Sequence, residues 1–175
     1  MINFLQNAFE ITGPTPCIST TDKTIIEVYD CYTCLPKNAR SYIKTSESEP
    51  IHFTLTNPLN ALLTFAALDN CLLKSDDISR CDFILGNLSK LYFVEIKEVP
   101  IRNRRDARLD AIKQLESTLS FLENRIDFTK TIPVAVICLK AKKVHPLQNA
   151  TSSAKAFSFK TKYNAVLKEG QSDTF

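Results

Sequence analysis

The stretch CDFILGNLSKLYFVEIK, residues 81–97, decides how this chain folds. Its two short apolar runs flank a Gly-Asn pair, an arrangement typical of two antiparallel strands joined by a tight turn. Three charged residues, Asp82, Glu95 and Lys97, interrupt the apolar runs. Because side chains alternate along a strand, Glu95 and Lys97 share one face. The sequence therefore predicts a buried β-hairpin that carries charged side chains.

The register of this hairpin decides whether the charged residues meet. Asp82 shares a face with Glu95 and Lys97 only in a register in which the numbers of two paired residues add up to an odd value. A shift of the register by one residue would turn every side chain of one strand to the other face. We expect a four-residue loop over 86–89. That loop places Asp82 opposite Phe93 and diagonal to Glu95, about 7 Å away.

Two helices are predicted on either side of the hairpin. Asn57-Pro58 is a strong helix start, and the apolar residues that follow it predict a helix over 58–73 that is buried on most sides. A second helix is expected to begin after Asn103, which forms a capping box with Asp106. Its apolar residues follow the helical period to about Ile126.

Strands complete the predicted architecture, a single α/β domain with a mixed central β-sheet flanked by helices. The apolar run 132–139 predicts a central strand covered on both faces, and the alternation over 156–163 predicts an edge strand. We divide the chain into a β-rich lead-in over 1–57, a core over 58–140 and a basic C-terminal extension over 141–175. The lead-in contains three short runs with strand character, at 24–29, 41–44 and 51–56.

The composition is that of an ordinary globular protein. The chain has 175 residues, of which 44% are apolar and 23% are charged, and this length suits one domain with one sizeable core. No apolar run approaches the roughly 18 residues that a membrane helix needs. The first ten residues lack the basic start of a secretory signal. These features predict a cytoplasmic protein.

The six cysteines are expected to stay reduced in that compartment, without a disulfide framework. Cys71, Cys81 and Cys138 lie in apolar runs, where a thiol packs as a small hydrophobic side chain. Cys31 and Cys34 form a lone Cys-x-x-Cys motif, and a zinc site would require a second pair at suitable spacing. Zinc or redox chemistry at this motif stays an alternative to a structural role.

Positive charge is concentrated near the C-terminus. Seven of the 22 basic residues lie in 140–168, which contains no acid, so 15 basic residues face 19 acidic ones in the rest of the chain. A basic segment on an acidic body suits a polyanionic partner. A solvated lysine-rich surface explains the same pattern.

The charged residues of the hairpin need a physical explanation, because an unpaired buried charge costs several kcal/mol. A divalent cation provides one explanation. Mg²⁺ prefers oxygen ligands and often takes only one or two carboxylates together with waters and substrate phosphates, and Asp82 and Glu95 supply two. In the alternative explanation Asp82 caps a strand end and Glu95 forms an ion pair with Lys97.

The order of these motifs resembles the PD-(D/E)xK nuclease superfamily. Asp82 is followed after twelve intervening residues by Glu95-Ile96-Lys97, with a predicted helix before the hairpin and a helix and an apolar strand after it. The resemblance covers about 58–140 and implies a restriction-endonuclease-like core. It also implies a nuclease that hydrolyses phosphodiester bonds of DNA, in which Asp82 and Glu95 bind Mg²⁺ or Mn²⁺. Lys97 would then assist the attacking water, and Gln114 would line the site.

The sequence departs from the superfamily pattern at three points. Cys81 stands where a proline usually precedes the aspartate. The predicted helix over 58–73 has Asp69 as its only acid, where many members carry a glutamate. Little chain is left between that helix and Asp82 for the strand that normally precedes the aspartate strand, so the run 51–56 is a candidate for its place.

Basic residues close to the predicted site suggest how a nucleic acid would be held. Four arginines follow the Lys97 strand, and two lysines lie on one face of the predicted edge strand. Such side chains contact phosphates in nucleic-acid complexes, although solvated surface positions explain them equally well. The candidate nucleic-acid-binding residues are Arg102, Arg104, Arg105, Arg108, Lys160 and Lys162.

Two other functions stay open. One is a catalytically inert module that keeps the nuclease fold and binds nucleic acid or a protein partner. The other is a small interaction protein whose basic tail docks an acidic partner. The presence of Asp82, Glu95 and Lys97 together favours the enzyme, and a domain of this size is expected to use a homodimer or a larger partner to complete its substrate groove.

Overall fold

The computed structural model describes residues 2–31, 34, 39–73, 79–140 and 150–175. Within these residues the chain forms two mixed β-sheets and three α-helices. The predicted α/β class is therefore confirmed. Strands and helices are numbered below in chain order.

The larger sheet has six strands in the order β1-β5-β6-β7-β8-β9. Neighbours from β1 to β7 are antiparallel, whereas β7, β8 and β9 run parallel. The predicted central strand is confirmed, because β8 lies between β7 and β9. The six strands are β1 Ile18–Thr21, β5 Leu63–Ala67, β6 Phe83–Gly86, β7 Lys90–Glu98, β8 Ile132–Lys140 and β9 Val166–Glu169.

The smaller sheet has four strands in the order β10-β4-β2-β3. All three runs expected in the lead-in are confirmed as strands of this sheet, and the C-terminal β10 adds to its edge parallel to β4. The segment expected as an extension thus contributes to both sheets. The four strands are β2 Ile25–Asp30, β3 Ser41–Ile43, β4 Phe53–Thr56 and β10 Ser172–Thr174.

The helices are α1 Ile2–Ala8, α2 Arg104–Leu122 and α3 Ala150–Tyr163, and a short 3-10 helix at Ile101–Asn103 precedes α2. The predicted second helix is confirmed as α2, but it ends at Leu122 rather than near Ile126. The predicted capping box is wrong, because the Asn103 side chain makes no capping hydrogen bond. The helix start is fixed instead by the 3-10 turn.

Two hydrophobic cores lie on opposite faces of the six-stranded sheet. On one face, residues such as Leu5 of α1, Leu115 of α2 and Phe159 of α3 pack against Phe93 and its neighbours. On the other face, the second sheet packs its own apolar side chains against the same strands. The large sheet is therefore the middle of three layers, which explains why all five residues of β5 are buried.

The predicted helix over 58–73 is wrong, because this segment contains β5. Asn57 does not cap a helix; its Oδ1 accepts the Ala61 N–H at 3.0 Å, and its Nδ2 donates to Ala61 O and Lys23 O. A short run that is apolar on all sides fits a buried strand as well as a buried helix, and burial between two layers selects the strand. Strand β5 also occupies the position before the Asp82 strand for which 51–56 was a candidate.

The predicted edge strand over 156–163 is also wrong, because these residues form the end of α3. Phe159 and Tyr163 are four residues apart, so they share a helix face as well as a strand face, and both are buried. A strand would also place Phe157 on this face, but Phe157 is 73% exposed, as the helix requires. Residues 141–149 of the basic segment lie outside the described residues.

The expectation of reduced cysteines is wrong for four of the six. Disulfides join Cys17 to Cys71 and Cys31 to Cys34. The first pair follows from the antiparallel pairing of β1 and β5, which places these two residues at the same end of neighbouring strands, with Cα atoms 5.6 Å apart. Cys81 and Cys138 are free and buried, as predicted.

The β6–β7 hairpin is confirmed, but its register differs by two residues from the expected one. Phe83 pairs with Val94 and Ile84 with Phe93. The predicted placement of Asp82 opposite Phe93 is therefore wrong, whereas the predicted odd sum of paired residue numbers is confirmed. The turn is tighter because the Asn87 side chain accepts the backbone N–H groups of Ser89 and Lys90. Gly86 enters this turn at φ +152°, where a Cβ atom would collide with the Lys90 carbonyl oxygen.

None of the helices in the described ranges is long and apolar enough to cross a membrane.

Candidate metal centre

A cavity of about 600 Å³ opens where the hairpin meets the second sheet and helix α2. All four predicted catalytic or metal-binding residues line this cavity. Asp82, Glu95 and Lys97 come from the hairpin, and Gln114 comes from α2. The structure therefore brings all four together. The lining residues are Asp30, Cys31, Ala39, Asp69, Asn70, Asp82, Glu95, Ile96, Lys97, Glu98, Val99 and Gln114.

Asp82 lies directly before β6 and is held by the neighbouring strand. Its N–H donates to Val94 O at 3.1 Å, and its Oδ2 accepts the Ile96 N–H at 2.6 Å. The side chain is almost fully buried. Burial, and then the negative charge of Glu95, raise the pKa of Asp82 well above its usual value, although the Ile96 N–H acts in the opposite direction.

Glu95 is the most deeply buried charged side chain of the cavity, with 1% of its surface exposed. Its Oε1 lies 2.6 Å from Lys97 Nζ. Its Oε2 is buried and has no hydrogen-bond partner among the residues that the structure describes. Burial raises the pKa of Glu95 to about 7, even though the Lys97 ammonium favours the carboxylate.

Lys97 shares the face of Glu95, as the alternation along β7 predicts. Burial lowers its pKa, but the negative charges of Glu95 and Asp82 outweigh that effect and raise it overall. Lys97 therefore stays an ammonium beside the two carboxylates. The ion pair of the alternative explanation is present, but it occupies only one of the two Glu95 oxygens.

Gln114 connects helix α2 to the segment that precedes Asp82. Its Nε2 donates to Arg80 O at 3.1 Å, and one turn later Thr118 Oγ1 accepts the Cys81 N–H at 2.8 Å. These bonds fix the helix against the start of β6. Gln114 thus lines the cavity, and its amide is already engaged with the backbone.

Three further carboxylates of the cavity wall, Asp30, Asp69 and Glu98, were not among the predicted site residues. Asp69 follows β5 and forms an ion pair with Arg80, with Nη2 2.9 Å from Oδ1. Asp30 is the last residue of β2, in the smaller sheet. From the sequence, Asp69 was identified only as an acid of the predicted helix. Asp30 could not be identified as a site residue, because nothing in the sequence predicts where the second sheet meets the hairpin.

The predicted nucleic-acid contacts fall into two groups. Arg102 and Arg105 are exposed at the start of α2, a few residues after Val99 of the cavity wall. Arg104 is partly buried. Arg108 is engaged in a two-point ion pair with Glu169, at 2.7 and 2.9 Å, so its guanidinium already has a carboxylate partner.

Lys160 and Lys162 are exposed on α3 and do not line the cavity. Lys160 Nζ donates to Asn164 Oδ1, and Lys162 Nζ lies 4.7 Å from the centre of the Tyr163 ring. The helix places these two side chains on a surface of their own. A role in binding for them is separate from the chemistry of the cavity.

The geometry fits a cation held by two carboxylates. No group of three or more His, Cys, Asp or Glu side chains is arranged to hold a metal ion in the described part of the chain. Mg²⁺ often needs only one or two carboxylates, with water and substrate oxygens as its other ligands. Glu95 has a buried oxygen without a hydrogen-bond partner in the described residues, and Asp82 is a second buried carboxylate of the same wall, so the two fit this requirement.

No family model, curated protein or solved structure matches this chain.

Proposed function

We propose that this chain is a metal-dependent nuclease that hydrolyses phosphodiester bonds of DNA. The observation that carries the proposal is Glu95 Oε2, a buried carboxylate oxygen without a hydrogen-bond donor in the described residues, in a cavity wall shared with Asp82 and Lys97. A buried acceptor left unsatisfied is costly. A divalent cation between the carboxylates removes that cost.

The resemblance to the PD-(D/E)xK superfamily supports the same proposal. Three antiparallel strands, a helix and a strand parallel to the last of them follow one another as β5, β6, β7, α2 and β8. Asp82 and the Glu95-Ile96-Lys97 triplet lie on this core at the cavity. We propose a restriction-endonuclease-like core on this basis.

The residues of the cavity have distinct roles in this reaction. Asp82 and Glu95 would hold Mg²⁺ or Mn²⁺, which when bound supplies positive charge to the phosphate and lowers the pKa of a nearby water. The Lys97 ammonium orients the water or stabilises the charge that develops on the phosphoryl oxygens. Gln114 keeps α2 in place against the segment that carries Asp82.

The charge distribution suits a polyanionic substrate. The cavity wall itself is acidic, and a phosphate could approach it only with a cation present. Arg102 and Arg105 are exposed a few residues after Val99 of the cavity wall, and we assign them contacts with backbone phosphates of DNA. Lys160 and Lys162 extend this contribution on a second surface.

A cleavage assay tests the proposal. The protein is incubated with supercoiled, linear and single-stranded DNA, and with RNA, in Mg²⁺, in Mn²⁺ and in EDTA. We expect cleavage of DNA that requires the divalent cation and is lost in E95Q. Preferential cleavage of RNA would correct the substrate, and absence of cleavage of every substrate by well-folded, cation-loaded protein would reject the enzyme.

One observation favours a second candidate, an inert module with the same fold that binds nucleic acid or a protein partner. The 2.6 Å ion pair between Lys97 and Glu95 gives both side chains a structural role without any cation. This candidate predicts DNA binding that is unaffected by EDTA and is not followed by cleavage. Binding measured by fluorescence anisotropy in EDTA and in Mg²⁺ separates the two.

A further inference from the structure

The smaller sheet also contributes an acid to the wall of the cavity. Asp30 ends β2 and lines the same cavity as Asp82 and Glu95. It is the only carboxylate of the described lining that comes from the smaller sheet. The groups that surround Asp30 therefore decide what its carboxyl group can do.

Most acids of the cavity already have a positively charged partner. The ion pairs are Asp69 with Arg80, Glu95 with Lys97, and Glu98 with Lys140. Within the described residues, Asp30 and Asp82 line the cavity without an ion pair. These two carboxyl groups therefore have no positively charged side chain within ion-pair distance in the described residues, and a divalent cation would supply that positive charge.

Asp30 is also held in a fixed position. Its N–H donates to Nδ1 of the buried His52 at 3.0 Å, and its Oδ1 accepts the Ser41 hydroxyl at 3.2 Å. Ser41 is its partner in the β2–β3 ladder. His52 therefore holds the backbone of Asp30, and Ser41 of the neighbouring strand holds one oxygen of its carboxylate, as expected of a group that orients a ligand.

We propose that Asp30 is a positioning residue of the cation site, a third acid of the cavity wall that acts on the cation. The inference rests on the proposed function. No three acids of the described chain are close enough together to hold an ion jointly, so Asp30 acts by its charge and through water rather than by direct coordination. The sign of a ligand here is Glu95 Oε2, the buried oxygen without a hydrogen-bond partner in the described residues that also carries the proposed function.

Cation binding without substrate tests this role. Mn²⁺ is titrated by calorimetry into wild type, D30N, D82N and the control D22N, which removes an exposed aspartate in the loop before β2. Loss of an acid that supports a metal site typically weakens metal affinity 10- to 100-fold. We expect D30N to weaken Mn²⁺ binding about 10-fold or more, D82N to abolish it and D22N to leave it unchanged.

A second variant covers the case in which D30N does not fold. S41A keeps the Asp30 charge and removes the hydroxyl that orients it, so it should weaken Mn²⁺ binding by a smaller factor, about 3-fold. Wild-type affinity in folded D30N, or in S41A if D30N is unfolded, overturns the role of Asp30 and leaves the proposed function intact. Failure of wild type itself to bind Mn²⁺ rejects both.

Discussion

At the scale of single residues, the sequence left two explanations for the charged hairpin residues, an ion pair and a cation site. Each of the two carboxylate oxygens of Glu95 fits one of them. Oε1 contacts Lys97, as the structural explanation requires, whereas Oε2 is buried without a hydrogen-bond partner in the described residues. The face shared by Glu95 and Lys97 was predictable, because it follows from strand alternation alone. The state of Oε2 was not, because it depends on what packs around β7.

The buried carboxyl of Glu95 makes the metal-free protein less stable as the pH rises. Its pKa is about 7 in the folded chain and near 4.3 in an unfolded one. Between these values the folded state binds more protons, so the free energy of unfolding falls with rising pH, by on the order of 3 kcal/mol in total. E95Q should remove this component.

The measurement is chemical denaturation in EDTA at several pH values between 4.5 and 7.5. The free energy of unfolding of E95Q minus that of wild type should rise across this range, because only wild type loses stability through Glu95. Taking this difference also cancels the titration of other groups such as His52. E47Q, at an exposed glutamate, provides the matched control and should show no such trend. A constant difference between E95Q and wild type would contradict the account of Glu95.

At the scale of elements, α2 was predictable because its apolar residues follow the helical period, and the hairpin because a turn pair separates two short apolar runs. Strand β8 was predictable because its apolar run has the length of a strand and is rich in β-branched residues. The segment 58–73 was not, because an apolar run without period fits either a helix or a strand, and only the covering layers select β5. In 156–163 the alternating aromatic residues coincided with helical spacing at Phe159 and Tyr163. Exposure of Phe157 could not be read from the sequence.

Helix α3 provides a test of nucleic-acid binding at a distance from the cavity. Replacing Lys160 and Lys162 together by alanine removes up to two phosphate contacts, so the slope of log affinity against log salt on duplex DNA should fall by up to about two units. Cleavage at saturating DNA should change little. The double variant K23A/K130A removes two exposed lysines elsewhere and should keep the wild-type slope. An unchanged slope in K160A/K162A would place these lysines outside the DNA contact.

At the scale of the whole molecule, three layers create a cavity that no single segment predicts. The hairpin contributes Asp82, Glu95 and Lys97, and the sequence motif was sufficient to find them. Asp30 comes from the other sheet, and its approach depends on the packing of β2, β3 and β4 against the large sheet. Contacts between layers of this kind are the part of a site that sequence reasoning misses.

The disulfides provide a whole-molecule prediction about stability. The Cys17–Cys71 bond closes a loop with a sequence separation of 54 residues, and the loss of chain entropy in the unfolded state corresponds to roughly 4 kcal/mol of stabilisation. C17S/C71S should therefore lower the free energy of unfolding far more than C31S/C34S, whose bond closes a separation of three residues. Denaturant melts of oxidised protein measure both. Equal effects would contradict the assignment.

The most direct test of the metal site is the thermal melting of D82N with and without Mn²⁺. Two buried carboxylates repel each other when no cation is present, so D82N without metal should melt no lower than wild type. Wild type should melt higher in millimolar Mn²⁺, because a ligand stabilises only the fold that binds it, whereas D82N should not respond and should not cleave DNA. A D82N protein that melts higher in Mn²⁺ as wild type does, or that cleaves at the wild-type rate, would contradict the central claim.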